Sequence, residues 1–322
     1  MENTPSVICV GAASQDVFLS GKVLAAKRDV RTKDFVEQFP LGAKLELDSV
    51  NFDTGGGAMN AAVTFARQGF KTGFAGKIGR DPAGADILRV LRREGISASH
   101  VAVDVRNSSA YSVLLLAPNG ERTVLVYRGA SAQLDHKDLA IRNLQAEWFY
   151  ITSLGGNLNL LSRLLAHANQ HNIQVALNPG HDELNQTRKL KRLLPLVTVL
   201  FGNKEELSSL FGGKTPREIF SHSHGVCPYI VLTDGPDGSF VSDNQHFYEA
   251  GQYQKVRVVD RTGAGDAFAS GFTSQIIQGH SIEDALTFGS ANATSVVMSI
   301  GAKSGILRHP RLRRLKVKVS SL

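Results

Sequence analysis

The sequence predicts an α/β protein in which a mostly parallel sheet carries helices on both faces. Three observations predict it. Runs with strand character alternate with segments whose apolar residues recur every three or four positions. The chain has 322 residues, 42% of them hydrophobic, enough for a sizeable core. There is also no internal repeat, low-complexity linker or composition shift to mark a second unit, so residues 1–322 are expected to form one domain.

Taken in order, SVICVGA, KTGFAGKIG, AEWFYIT, IQVALNP, VTVLFGN and PYIVLTD read as strands. The helical patterns between them are AAVTFARQG, AGADILRVLRREG, LNLLSRLLAHANQHN and NKEELSSLFGG. Two consecutive helices are expected near the end, in GDAFASGFTSQIIQG and SIEDALTFGSANATSVVMS. Two segments break the alternation: Val17 to Phe52, and SAYSVLLLAPNGERTVLVYRG with a turn at Pro118, Asn119 and Gly120. They suit a small β flap.

Composition excludes several classes. No run of 18 uncharged apolar residues occurs, and MENTPSVICVG has no basic stretch leading into an apolar one, so neither a membrane span nor a signal peptide is expected. The protein is placed in the cytoplasm. Cys9 and Cys227 lie in apolar stretches and are too few for a disulfide framework, in keeping with a reducing compartment. Much of the +7 net charge lies in the run Arg308–Lys318, which lacks interleaved aromatics, so a solvated tail is expected and no nucleic-acid partner.

The chemistry-bearing stretch is DRTGAGDAFASGF, Asp260 to Phe272. Gly263, Ala264 and Gly265 run into Asp266 at a helix start, where the first amides lack internal partners and the dipole is positive. Small residues there let an anion approach. Asp266 cannot ligate a phosphate of like charge, but it can accept the proton of a hydroxyl attacking that phosphate. Stabilising the first helical turn is the other role open to it.

A second glycine cluster, TGGGAMNAAVTFARQG, fails as a dinucleotide fingerprint. Asn60 stands where a small residue is needed, and the first strand lies about forty residues upstream. An amide after three glycines suits hydrogen bonds to ligand hydroxyls, or else a cap on a tight turn. SSLFGGKT, Ser208 to Thr215, ends like a P-loop, but it begins on Ser208 and follows a helical pattern. His222, His224 and Cys227 lack a fourth ligand at a recognised spacing, so a surface loop is expected there.

On these residues the chain resembles, almost from end to end, the PfkB/ribokinase family of carbohydrate and nucleoside kinases. The match rests on DRTGAGDAF, on GGGAMN, and on GKIGRDPAG, where Gly76, Gly79, Asp81 and Gly84 fit the pattern. The resemblance implies a ribokinase-like three-layer α/β/α domain, with a β lid from about 17–52 and 107–128. It implies ATP-dependent phosphorylation of a sugar or nucleoside hydroxyl, with Mg²⁺. Asp266 would be the base, and Gly263, Ala264 and Gly265 the anion hole. Asp16, Gly56, Gly57 and Asn60 would meet the acceptor.

Asn203 and Glu206 would lie near Mg²⁺ and the phosphates, Glu206 acting through water, with Thr233, Gly235, Gly238 and Asn292 about the nucleotide. Asp260 and Thr262 resemble a monovalent-cation site, although SIGAKSG, Ser299 to Gly305, departs from the usual sequence there. Gly57 stands where ribokinases have a lysine and Gly155 where they have an acid, which puts ribose itself in doubt. Arg31, Lys33 and Arg128 are unassigned cations of the pocket edge. A homodimer through the lid is expected, because exposed strand edges tend to be covered. A sugar-phosphate kinase and a silent binding protein on the same fold are the alternatives.

Overall fold

The structure, a computed structural model, describes residues 4–31, 33–118, 122–253, 256–308 and 315–322. The Asn119–Gly120 part of the expected turn and most of the Arg308–Lys318 run lie outside these residues. All six expected strands form and lie side by side in one ten-stranded sheet. Its order is Val317–Ser321, His246–Ala250, Ser239–Ser242, Tyr229–Thr233, Val199–Asn203, Gln174–Leu177, Trp148–Ile151, Ser6–Val10, Lys71–Gly79 and Ser97–Asp104. From Tyr229–Thr233 to Ser97–Asp104 the pairing is parallel; the three strands at the other edge are antiparallel.

The strand interiors are apolar because both faces are covered. Val7, Cys9, Phe65 and Phe272 belong to the core on one face, and Ile8, Phe149, Leu161 and Leu165 to the core on the other. The helices Gly57–Arg67 and Ala264–Ile277, which carry the two glycine motifs, pack together in the first of these layers. Ser270 Oγ donates to Thr64 Oγ1 across them at 2.9 Å.

A second, four-stranded sheet runs Ser49–Gly55, Ser14–Ser20, Ala110–Leu116, Arg122–Tyr127. Its inner pair, Ser14–Ser20 with Ala110–Leu116, is parallel. It begins at Ser14, earlier than the Val17 start read from sequence, so Asp16 lies inside one of its strands. Asp81 brackets this sheet to the body: Oδ1 accepts Gly84 N at 2.8 Å, capping the Pro82–Arg93 helix, and Oδ2 accepts Ser109 N at 2.7 Å.

Arg67 fastens the C-terminal turn. Its guanidinium bonds both oxygens of Glu94 (2.8 and 3.1 Å) and donates to the carbonyls of Lys303 (2.9 Å) and Ile306 (3.0 Å). These hydrogen bonds hold the Glu94 carboxyl below its ordinary value. Arg67→Met leaves Glu94 with Arg308, at 3.1 Å, as its remaining partner, at an expected cost of about 1.5–3 kcal/mol at pH 7 in urea unfolding. Because the folded pKa is lowered, this stability is present above about pH 4.5 and is lost as pH falls through the folded value, so the gap between variant and parent should narrow in acid.

Candidate active site

The order of the parallel strands reverses about Ser6–Val10: residues 71–104 add to one side of it and residues 148 onward to the other. A crevice opens beyond the carboxyl ends of strands at such a reversal. Here it is a cavity of about 260 Å³ lined by Ala12, Asp16, Gly57, Asn60, Ser153 and Asp266, among others.

Backbone geometry explains the glycines. Gly56 has φ 94°, and a Cβ there would lie 2.7 Å from Ala13 Cα, so only glycine lets the helix start this close to the first strand. One turn on, Asn60 is buried, and its Nδ2 donates to Asp266 Oδ2 at 2.9 Å. Asn60 Oδ1 is buried without a partner among the described residues. Such an orphaned acceptor in a cavity wall suits a ligand hydroxyl.

Asp266 lies in the first turn of Ala264–Ile277, whose N-cap Gly263 is left-handed at φ 77°. Desolvation pushes its carboxyl above the ordinary value, the Asn60 hydrogen bond draws it down, and the charge of Asp16 pushes it up again. The residue is half-buried by exposure, which describes only its face toward the cavity; the enclosing chain accounts for the desolvation. Asp16 is 6% exposed, and its Oδ1 accepts Ser14 Oγ at 2.8 Å. Its carboxyl is also raised by desolvation, against the lowering effects of Ser14 and Lys303.

A second cavity, of about 300 Å³, is lined by Thr233, Gly235, Gly238, Ala264, Gly265 and Thr294 among others. Thr262, Gly263 and Asp266 face the first cavity, and Ala264 and Gly265 the second. One helical turn is therefore the wall between them. Ala264 N makes a long 3.3 Å bond to Arg261 O, which a stronger acceptor can replace. The amides after it lack acceptors within the helix.

Several residues singled out in the sequence stand elsewhere. Asn292 is fully buried, and its amide is used internally, donating to Ala267 O at 2.8 Å and accepting Leu307 N at 2.9 Å. It lines neither cavity; its neighbours Ser290 and Ala293 line the second. Asn203 and Glu206 cap one another at the start of Lys204–Phe211, at 2.9 and 2.8 Å, and also line neither. Asp260 accepts Thr262 N, Thr262 Oγ1 and Gly301 N at 2.9, 2.7 and 3.1 Å. Arg31 and Lys33 are exposed and away from both cavities, whereas Arg128 lines the first.

Two residues were missed. Lys303, 4% exposed, lies 3.2 Å from Asp53 Oδ1, an ion pair by distance that lacks hydrogen-bond geometry. Glu183 is buried and accepts four bonds, from Ser153 Oγ, Leu154 N, Gly156 N and Gly180 N, fixing the turn beside the first cavity. A lysine among small residues in SIGAKSG was the available signal for the first; nothing local in HDEL marked the second.

Comparison with known proteins places these cavities in context. A family model described as pfkB family carbohydrate kinase matches residues 27–308. Ribokinase of Haemophilus influenzae is 26% identical over 264 residues, covering 78% of this chain and 83% of that protein. Aminoimidazole riboside kinase of Salmonella typhimurium is 27% identical over 287 residues, covering 83% and 88%. The solved structure of Arabidopsis thaliana ribokinase complexed with ribose and ATP superposes with a TM-score of 0.76 at 23% identity, covering 94% of this chain and 95% of that one.

The contacts of Asp266 give a pH test with two opposite signs. Asn60→Ala removes a hydrogen bond that lowers the Asp266 pKa, so activity in acid should fail at a higher pH than in the parent. Asp16→Asn removes a charge that raises it, so the acid limb should move down. Asp16→Asn should also raise KM for the acceptor far more than KM for ATP. Limbs that move the same way in both variants would refute this coupling.

Proposed function

We propose, from the premise that the chain belongs to the pfkB family of carbohydrate kinases, that its first cavity holds the acceptor, its second holds ATP, and the phosphoryl group crosses at the 262–266 turn. The protein is an ATP-dependent phosphotransferase acting on a hydroxyl of a sugar or nucleoside. The observation that carries the residue assignment is the wall itself, with Asp266 on one side and Gly265 on the other.

Asp266 is the base. It stands at the floor of the acceptor cavity, where desolvation raises its pKa and so makes it a better proton acceptor than an ordinary carboxylate. Asn60 holds one of its oxygens, leaving the other for the attacking hydroxyl. As the hydroxyl loses its proton to Asp266, charge building on the transferring group meets the amides of the helix start, including those of Ala264 and Gly265. Gly263 sets that turn. Asp16, Ser14 and the free Oδ1 of Asn60 orient the acceptor hydroxyls. Thr233, Gly235 and Gly238 contact the nucleotide.

Mg²⁺ fits as an ion held mainly by phosphates. Among the described residues no group of three His, Cys, Asp or Glu would hold it alone. Glu206 gives Oε2 to Asn203 N at 2.8 Å and keeps its other oxygen for a water of such an ion. Bound there, Mg²⁺ would neutralise phosphate charge. Potassium is assigned no step: Asp260 Oδ1 already accepts Thr262 N and Thr262 Oγ1, and Oδ2 accepts Gly301 N, so a cation there would compete with donors that the protein itself supplies.

The four-stranded sheet acts as a lid over the acceptor, and its exposed apolar residues, Phe52 at 67%, Leu125 at 56% and Tyr127 at 53%, suit coverage by a second copy in the cytoplasm. Light scattering should give the mass of a dimer; a monomer at working concentrations would refute the lid interface.

Asp266→Asn tests the mechanism. It keeps size and helix start but removes the proton acceptor, so kcat should fall about 10²- to 10⁴-fold while ATP still binds. Gly265→Val should weaken both chemistry and ATP binding, because a Cβ at Gly265 meets open space and larger side chains extend into the second cavity. Near-normal turnover by Asp266→Asn would sink the assignment.

A further inference from the structure

The acceptor cavity is asymmetric in charge. Its carboxylates, Asp16 and Asp266, belong to one coupled group: Asp266 feels Asp16, and Asp16 feels Asp53 and the buried ammonium of Lys303. Arg128 also lines the cavity, and its nearest acid is Asp182 and neither of these two. Arg128 follows the lid strand Arg122–Tyr127, and the left-handed Gly129 after it, φ 47°, turns the chain beneath Ser108.

Two serines of that rim are already engaged. Ser131 Oγ donates to Ala13 O and Lys77 O, and Ser153 Oγ donates to Glu183. Arg128 instead has a side chain 59% exposed and stands 4.0 Å from Asp182, too far for a hydrogen bond. It is a guanidinium fork with donors to spare at the mouth of a cavity whose floor recognises hydroxyls. The lining also carries little bulk at Gly155, which has φ 64° and only Ala132 within 4 Å of where a Cβ would be.

The geometry points to an acidic sugar as acceptor: a polyhydroxy compound that offers a hydroxyl to Asp266 and a carboxylate to Arg128. This rests on the phosphoryl-transfer reading above and names its substrate class. A neutral sugar leaves the fork unused, whereas a carboxylate matches its two parallel donors. With Asp182 4.0 Å from Arg128 and with Asp16 and Asp266 in the same lining, the surroundings already carry negative charge, which repels a dianionic phosphate more than a singly charged carboxylate. The charges of the lining also fix which end of the acceptor reacts, because a carboxylate turned toward Asp16 and Asp266 would be repelled.

The test compares ATP-dependent ADP formation with acceptor pairs that differ only at one carbon, D-gluconate against D-glucitol and D-ribonate against D-ribitol, with D-ribose, D-ribose 5-phosphate and inosine alongside. An aldonate should give the highest kcat/KM. Arg128→Gln should raise KM for that acid about 10- to 100-fold, the range of a charge-assisted bidentate contact, and pull the acid-to-alcohol ratio toward one. Arg128→Lys, which keeps the charge without the fork, should fall between. If a neutral sugar, the phosphate or inosine is preferred, or if Arg128→Gln leaves the ratio unchanged, the acidic-acceptor assignment is overturned while phosphoryl transfer stands. If no acceptor yields ADP, both are overturned.

Discussion

The site depends on one contact between helices from opposite ends of the chain. Asn60, near the start of Gly57–Arg67, holds Asp266, near the start of Ala264–Ile277, across 206 positions of sequence. Both residues are useful only if the two helix starts come almost into touch, which needs residues without bulk. A Cβ on Gly57 would sit 3.2 Å from Asp266 Oδ1, and one on Gly263 would press into Ala302. The glycines of both motifs thus serve packing first, by removing the bulk that would hold the two helix starts apart, and the proposed phosphate position uses the same room.

A second constraint follows from charge. Desolvation pushes both cavity carboxyls toward protonation, and neighbouring charge adds to it, from Asp16 on Asp266 and from Asp53 on Asp16. The fold offsets this with a buried cation. Lys303 reaches Asp53 and acts on Asp16, and desolvation lowers its own pKa, so the group is a mutually dependent set of charges. Arg67 holds the turn that carries Lys303, which makes an apparently remote ion pair with Glu94 part of the support of the acceptor site.

Most of the architecture was legible because it rests on local pattern: six strands and the two late helices follow from periodicity alone. Asp266 was legible because its surroundings are contiguous in sequence, three small residues and an acid at a helix start. Asn292 misled, since a polar residue on a helix near a cavity looks the same in sequence whether it faces the ligand or ties Ala267 to Leu307. Lys303 and Glu183 were not legible as site residues because their partners are distant: Asp53 lies 250 positions from Lys303, and Ser153 lies 30 from Glu183. Sequence pattern reports a side chain's own element well and its tertiary partners poorly.

That division bears on where specificity can reside. Under the mechanism proposed above, the floor of the cavity is bound by several requirements at once, since Asp266, Asn60 and the helix-start amides must keep their spacing for any acceptor. The rim is not so bound. Arg128 and Tyr127 come from the end of a lid strand, and Gly155 from a turn held by Glu183 at its backbone, so side chains there can change without moving the wall between the cavities. A chain that keeps the floor and varies the rim can retain the transfer step while exchanging one hydroxylated acceptor for another. The guanidinium at position 128 is therefore better read as a statement about the acceptor than about the chemistry performed on it.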